Sequence, residues 1–304
     1  MSYLLLFLLL AQDQPTFHSD VALVHVDAEV HQDGQLISGL GRESFRVTDS
    51  GKPQAITYFG HQEQPLDAVV LFDTRIEMRP AVQRVAEASH TALGELRRGD
   101  RLAVMAFGVT AGNCKTDLIS DLTGDFDGAE RSIENQILQR EFRPHTNLCS
   151  IQKGLDGAAQ ILLHHPMGNR RRAIIIITDD QGVPTRPVIV HDAVRDLWKA
   201  DAVVLGVVTR SGATGFSIGP PYRGARYAAD QTGGEVLNTG DPVEDLREMI
   251  RRLRLRYTLY YALPPAKRGD ERKIRVQLTP EAAKRYPRAM VRARTGYVVP
   301  GENP

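Results

Sequence analysis

The chain contains 304 residues, enough for one large domain or for a medium domain with a smaller companion. It carries 38 Lys and Arg residues against 37 Asp and Glu residues. A chain this evenly charged lacks the basic excess that indicates a nucleic acid or an anionic membrane as partner, so neither is expected.

Residues 1–11, MSYLLLFLLLA, differ from the rest of the chain. The apolar run from Leu4 to Leu10 is too short to span a bilayer, but it suits the core of a secretion signal. No Lys or Arg precedes the run, and Ala11 is a poor cleavage site. The alternative is a short buried strand or helix. No other segment is apolar enough to cross a membrane, so we expect an exported protein, periplasmic or extracellular, without a stable membrane span.

The N-terminal segment, residues 16–64, is predicted to be β-rich. "VALVHVDAEV" is rich in valine with partial alternation, and "FRVTDSGKPQAITYF" indicates two short strands around a turn. The C-terminal segment, residues 266–304, is β-rich again, with "KIRVQLT" and "AMVRARTGYVV". Each end has too few strands to bury a face alone, so we expect the two segments to pack together.

Between them, strands and helices alternate over residues 65–265. Several strands are apolar on both faces, which is typical of a mostly parallel sheet covered by helices. The expected fold class is therefore α/β: a doubly wound, mostly parallel six-stranded sheet with a β-rich appendage formed by the chain ends. The strands are expected near 67–72, 102–107, 115–120, 172–178, 202–208 and 256–262, with 115–120 antiparallel at an edge.

Two of these strands end on carboxylates. "VVLFD" ends at Asp73, and "RRAIIIITDD" reaches Asp179. In such sheets ligands lie beyond the carboxyl ends of the strands, so both acids are expected to face one crevice.

Motifs of other site classes lack the required context. "GFSIG", 215–219, matches the nucleophile elbow of serine hydrolases, but no histidine follows it and Pro220 and Pro221 come directly after. A hydrolase is therefore disfavoured, and no catalytic residue is assigned. Cys114 and Cys149 form no Cys-x-x-Cys pair, so zinc spacing is missing. In an exported protein they can bond to each other or stay as buried thiols.

The remaining pattern resembles a known family. Asp73 after the first core strand, Thr146 in "PHTNLCS" before a helix, and Thr178-Asp179 after a later strand resemble the von Willebrand factor type A (VWA) domain, which is Rossmann-like, over about residues 66–262. The flanking text, such as "GQLISGLGRESFRVTDSGKPQAITYF" and "VRARTGYVVP", is similar to secreted bacterial VWA-related proteins common in acidobacteria.

The resemblance implies a metal-ion-dependent adhesion site with a departure from the family pattern. The family uses Asp-x-Ser-x-Ser, a Thr and an Asp; Asp73, Thr146 and Asp179 match, but the two serine positions hold Arg75 and Glu77. Arginine has no acceptor atom and carries a fixed positive charge, so we expect Arg75 to take the place of the ion and no cofactor to bind. The alternative keeps a divalent cation, Mg²⁺ or Ca²⁺, with an oxygen from Glu77.

The family topology also places Cys114 and Cys149 on the face at the strand tips, which predicts a disulfide between them. The expected function is non-catalytic binding of an unknown protein of the adhesion type, through an acidic partner residue that meets Arg75. The alternative is a structural scaffold component of a cell-envelope assembly.

Overall fold

The computed structural model describes residues 22–60, 64–110, 113–142, 149–180, 185–209 and 224–301. Within these ranges lie fifteen strands and eight α-helices. The strands are β1 (Leu23–Gln32), β2 (Gln35–Leu36), β3 (Phe45–Asp49), β4 (Lys52–Gln54), β5 (Ile56–Gly60), β6 (Leu66–Asp73), β7 (Arg101–Thr110), β8 (Asn113–Thr123), β9 (Arg171–Thr178), β10 (Ala202–Val208), β11 (Val236–Leu237), β12 (Tyr257–Ala262), β13 (Glu271–Leu278), β14 (Met290–Ala293) and β15 (Gly296–Val298). The helices are α1 (Arg79–Glu87), α2 (Ser89–Ala92), α3 (Phe126–Ser132), α4 (Ile151–His164), α5 (Pro187–Lys199), α6 (Ala225–Thr232), α7 (Pro242–Arg254) and α8 (Pro280–Arg285).

The central sheet has six strands in the order β11-β10-β9-β6-β7-β8. Its strands pair in parallel except for β8, which runs antiparallel to β7 at one edge. All residues of β6 and β9 are buried, because helices cover both faces of the sheet.

The helices cover the central sheet with two apolar clusters. One face packs against α1, α3 and α7, and the other against α4, α5 and α6. Their starts follow ordinary capping rules: Ser150 accepts a hydrogen bond from the Lys153 amide before α4, and Asp241 accepts one from the Val243 amide before α7. These caps fix where the helices begin beside the sheet.

Two antiparallel sheets lie beside the central sheet and share a third apolar cluster. The first antiparallel sheet has the order β14-β1-β12-β5, with β2 paired to β1. The second antiparallel sheet has the order β15-β13-β3-β4. Both sheets join the two ends of the chain, because β1 pairs with β14 and β3 pairs with β13.

The expected fold class is wrong for this molecule. The described chain is a mixed α/β structure with three sheets, and nine of its fifteen strands belong to the two antiparallel sheets. The central sheet itself is only partly parallel because of β8. A doubly wound, Rossmann-like sheet with an appendage therefore does not describe it, because most of its strands lie in sheets whose pairings are antiparallel.

One strand was assigned to the wrong sheet. Residues 256–262 were expected in the central sheet, but β12 pairs antiparallel with β1 and β5. The two-residue strand β11 occupies the edge of the central sheet next to β10 instead.

The helices α6 and α8 were not predicted. In the part of the chain that the structure describes, no helix is long and apolar enough to cross a membrane.

Candidate functional site

The carboxyl ends of β6 and β9 meet at one edge of the central sheet. The two strands pair in parallel, with Phe72 opposite Ile177. Asp73 and Asp179 follow these positions and are 0% and 6% exposed. The structure therefore brings together the two acids that the sequence placed at strand ends.

Arg75 lies between the two carboxylates. Its Nε donates to Asp73 Oδ1 at 2.9 Å and to Oδ2 at 3.0 Å. Its Nη2 donates to Asp73 Oδ2 and, at 2.6 Å, to Asp179 Oδ1. The residue is itself 5% exposed. One guanidinium thus bridges both acids with charge-assisted hydrogen bonds. We call Asp73, Arg75 and Asp179 the strand-tip cluster.

Thr178 completes the hydrogen bonding of the strand-tip cluster. Its hydroxyl donates to Asp73 Oδ2 at 2.8 Å and accepts from the Asp180 amide at 3.2 Å. Arg75 Nη2 approaches the same oxygen at 3.3 Å. No role was expected for this threonine, although its position directly before Asp179 is a signal in the sequence.

The charges of the strand-tip cluster support one another. Burial alone would lower the pKa of Arg75, but the hydrogen bonds and charges of Asp73 and Asp179 raise it above its ordinary value. Arg75 is therefore a permanent cation. Two buried carboxylates this close would repel each other, and the guanidinium between them offsets that repulsion.

The geometry does not fit the divalent cation that the family resemblance implies. A shared ion must lie within about 2.0–2.6 Å of an oxygen from each acid. Arg75 Nη2 already lies within hydrogen-bond distance of both acids. Among the described residues, no group of three or more His, Cys, Asp or Glu side chains has the arrangement of a metal site. The guanidinium fills the position that an ion would need.

Glu77 lies apart from the strand-tip cluster. It belongs to the single 3₁₀ turn Ile76–Met78 and is half-buried. Its Oε2 has no hydrogen-bond partner, and no ion pair joins it to another described residue. Among the described residues, Glu77 therefore forms no ion pair with Arg75. Thr146, the remaining expected site residue, lies outside the described residues.

Cys114 and Cys149 form a disulfide with a Cα–Cα distance of 4.8 Å. Cys114 lies near the start of β8, and Cys149 directly precedes Ser150, the N-cap of α4. The bond therefore ties the edge strand to the chain that enters α4, on the face of the molecule where the strand tips lie.

Asp180 holds the start of helix α6 by a hydrogen bond from the helix's first amide. It adopts a left-handed conformation with φ of 58°, and its Oδ1 accepts a hydrogen bond from the Ala225 amide at 2.5 Å. The preceding Gly224 has φ of 96°, and a Cβ there would lie 2.1 Å from the same oxygen. Burial raises the pKa of Asp180, against the lowering effect of these amide hydrogen bonds. Asp180 thus anchors the start of α6, which the sequence did not predict.

Thr74 fixes the other side of the cluster. Its amide and its hydroxyl both donate to the Phe107 carbonyl, each at 2.9 Å. A Cβ at Gly108 would lie 2.2 Å from the Thr74 hydroxyl, so a glycine is needed beside it. This contact holds the residue between Asp73 and Arg75 against the end of β7.

No family model matches the chain, and no curated protein matches it significantly. Among solved structures, proximal thread matrix protein 1 (PTMP1) from the mussel byssus is similar, with a TM-score of 0.50 and 12% identity over 68% of this chain and 51% of that chain. A second crystal form of PTMP1 gives a TM-score of 0.44 at 13% identity, over 64% of this chain and 48% of that chain. The human COPII-coat protein Sec24c gives a TM-score of 0.44 at 8% identity, over 79% of this chain and 44% of that chain.

The chain spans about half the length of these solved structures or less. At 12% identity, the likeness to PTMP1 concerns the fold alone. The two matches with TM-scores of 0.44 support no conclusion about function.

Proposed function

We propose that this chain is a non-catalytic, protein-binding relative of the VWA domain proteins, in which an arginine replaces the adhesion-site cation. The observation that carries the proposal is the bridge of Arg75 to both Asp73 and Asp179. A fixed guanidinium supplies positive charge where the family uses an ion. Ligand binding at this face is then independent of divalent metal.

The partner is proposed to contact the rim of the face rather than Arg75 itself. Arg75 is only 5% exposed, so it is poorly placed for the direct contact with an acidic residue that the sequence suggested. Two exposed arginines lie on the loops beyond the strand tips: Arg186 before α5 and Arg226 at the start of α6. Arg226 is close enough to Asp180 to affect its pKa. An acidic partner surface fits this rim.

The proposed location is outside the cytoplasm, in the periplasm or the extracellular space. The disulfide between Cys114 and Cys149 is compatible with an exported protein, because disulfides persist in oxidising compartments. The N-terminal run that suggested a secretion signal lies outside the described residues.

The test is capture of partners from an envelope extract by the immobilised wild type, in EDTA and again with Mg²⁺. Each captured protein is then purified and titrated against wild type, Arg186→Glu, Arg226→Glu and the control Arg98→Glu, which changes an exposed arginine in the turn before β7. We expect a partner whose affinity is equal in EDTA and Mg²⁺ and falls at least tenfold with either rim variant.

Two results would contradict the proposal. A partner that binds only with Mg²⁺ would show that a metal takes part. A partner that binds all three variants equally well would favour a scaffold role through another surface.

A further inference from the structure

Residues 290–298 contribute one strand to each of the two antiparallel sheets, β14 to the first and β15 to the second. Strand β15 pairs with β13, with Glu271 opposite Val298 and Lys273 opposite Gly296. The Ile274 amide then donates to the Thr295 carbonyl at 2.8 Å. From this point the chain leaves β13, and β14 pairs with β1 instead.

The departure leaves half of β13 without a neighbour on one side. If the register of β15 continued, Val276 would face Ala293 and Leu278 would face Val291. Those two residues of β14 instead lie opposite Ala28 and Val30 of β1. No pairing joins β13 to β14 among the described strands.

The backbone groups at this gap point into it. On β13, the Lys273 carbonyl accepts from the Ser50 amide and the Thr279 amide donates to the Ser44 carbonyl, so alternate residues bond toward β3. Val276 lies at the alternate position, so its N–H and C=O point away from β3. On β14, Val291 lies opposite Val30 of β1. The Val30 carbonyl accepts from the Ile37 amide on the other side of β1, so Val30 does not bond to Val291. The N–H and C=O of Val291 therefore point away from β1.

A groove of about 540 Å³ lies between the two strand edges. Its lining mixes polar and apolar groups; the apolar ones include Val276, Val291 and Tyr286, together with Ala283 of α8. Met290 at its rim is 59% exposed. An open strand edge beside apolar surface is a place where proteins accept an added strand.

The chain around the groove is basic, although the whole chain is nearly neutral. Residues 275–294 contain six Lys and Arg residues and one glutamate, whereas the whole chain has a formal charge of +1. No Asp or Glu lines the groove, whereas Arg275 does; Arg294 lines it too, but its charge is paired with Asp201. Arg275 and Lys284 are exposed. The positive charge selects for an acidic occupant.

We propose that the groove between β13 and β14 binds an extended, acidic segment of a partner protein, which adds as a strand between the two edges. The backbone of the added segment bonds to Val276 and Val291. Alternate side chains pack against the apolar lining residues, and those between them meet Arg275 and Lys284. This site lies apart from the strand-tip cluster and does not depend on the function proposed for it.

The test uses a fluorescein-labelled peptide, Glu-Val-Glu-Val-Glu-Val-Glu, titrated by fluorescence anisotropy against the folded chain. The paired variant Arg275→Glu with Lys284→Glu reverses two exposed charges beside the groove. Arg98→Glu is the matched control outside it. We expect at least tenfold weaker binding to the paired variant and unchanged binding to the control. Circular dichroism checks that both variants are folded.

Two further measurements separate strand addition from a simple charge effect. Hydrogen exchange should become slower at the Val276 and Val291 amides when the peptide binds. A peptide N-methylated at alternate residues, which cannot form one row of backbone bonds, should bind at least tenfold more weakly. Failure to bind, equal binding of the methylated peptide, or amides already protected in the free chain would each overturn the proposal.

Discussion

Two clusters of ions, one buried and one partly buried, lie at opposite ends of the central strands, and they are assembled in different ways. The strand-tip cluster lies at the carboxyl ends of β6 and β9, and two of its three residues, Asp73 and Arg75, are only two positions apart in the sequence. A second group, the inter-sheet cluster, lies near the amino ends of β9 and β10. It consists, in order of contact, of Arg171, Asp27, His25, Asp201 and Arg294.

The inter-sheet cluster joins the central sheet to the first antiparallel sheet. Arg171 of β9 donates to Asp27 of β1 at 2.8 Å and to Thr258 of β12 at 3.0 Å. His25 of β1 contacts Asp201 at 2.5 Å and Asp27 at 3.3 Å. The imidazole thus lies between two carboxylates: Nδ1 is hydrogen-bonded to Asp201, whereas Nε2 approaches Asp27 without forming a hydrogen bond.

The comparison shows that an arginine between carboxylates does not by itself identify a functional site. The same chemistry joins two sheets in the inter-sheet cluster. In the strand-tip cluster, the arginine and the carboxylates lie at the carboxyl ends of the strands, the position of the ion in the family that the sequence resembles. The position at the ends of the strands is what makes the strand-tip cluster the candidate site.

The largest expected effect on stability comes from removing Arg171 from the inter-sheet cluster. Arg171 is 0% exposed and also donates to the Leu253 and Arg256 carbonyls. Replacing it in Arg171→Met leaves a buried carboxylate and buried carbonyls without this partner, so we expect a loss of about 3–5 kcal/mol in the free energy of unfolding. Urea unfolding measures it. The exposed Arg98→Met should change stability by less than about 0.5 kcal/mol. Similar values for both variants would remove the structural role of the cluster.

The disulfide at the strand-tip face should have the next largest effect. The bond closes a sequence separation of 35 residues. The chain-entropy treatment gives about 3–4 kcal/mol for a loop of about 36 residues. We expect the double variant Cys114→Ala with Cys149→Ala to lose stability by about this amount in urea unfolding. Dithiothreitol should destabilise the wild type similarly and leave the double variant unchanged. A wild type that is insensitive to the reductant would contradict this prediction.

The inter-sheet cluster should also make stability depend on pH. Burial alone would lower the pKa of His25, but Asp201 and Asp27 raise it from 6.5 to about 10. The protonated imidazole is therefore favoured by folding. Its contribution is fully present below about pH 6.5 and is lost as the pH rises toward 10.

Urea unfolding of wild type and His25→Gln across this range isolates the contribution. We expect the stability difference between the two proteins to shrink as the pH rises. The exposed His191→Gln serves as the matched control, because it makes the same substitution outside the inter-sheet cluster. A wild-type advantage that grows with pH would show that His25 is neutral in the folded protein.

The smallest effect concerns metal at the strand-tip cluster. We expect no thermal shift of the wild type with millimolar Mg²⁺, Mn²⁺ or Ca²⁺, because Arg75 bridges both carboxylates. The double change Arg75→Ser with Glu77→Ser removes the guanidinium and supplies two hydroxyl ligands. At a metal concentration about tenfold above its Kd, this variant should gain about 1.4 kcal/mol.

The matched control for the metal prediction is Arg75→Met with Glu77→Met, which removes the arginine but adds no oxygen ligand. It should gain less stability from metal than the serine variant. If the wild type gains stability with metal and the serine variant does not, Glu77 is a ligand and Arg75 does not take the place of the ion.

The sequence located the strand-tip cluster because its signal is local. A buried strand that runs into a carboxylate, with an arginine two residues later, is visible in "VVLFDTR". The inter-sheet cluster left no comparable signal. His25 and Asp201 are 176 residues apart, and Arg171 and Asp27 are 144 apart, so only the folded chain brings them together.

The sequence by itself determined where the buried strands lie and which of them end on acids, since burial and strand length follow from local runs of apolar residues. It did not determine which strands are neighbours. "YTLYYAL" has the composition of a core strand, yet β12 pairs with β1 because an apolar pattern specifies burial and not a partner. Only the tertiary structure decided that antiparallel sheets would hold most strands, and that residues 290–298 would divide between two of them. Those outcomes depend on backbone hydrogen bonds, which are the same for every residue and leave no mark in the side-chain pattern.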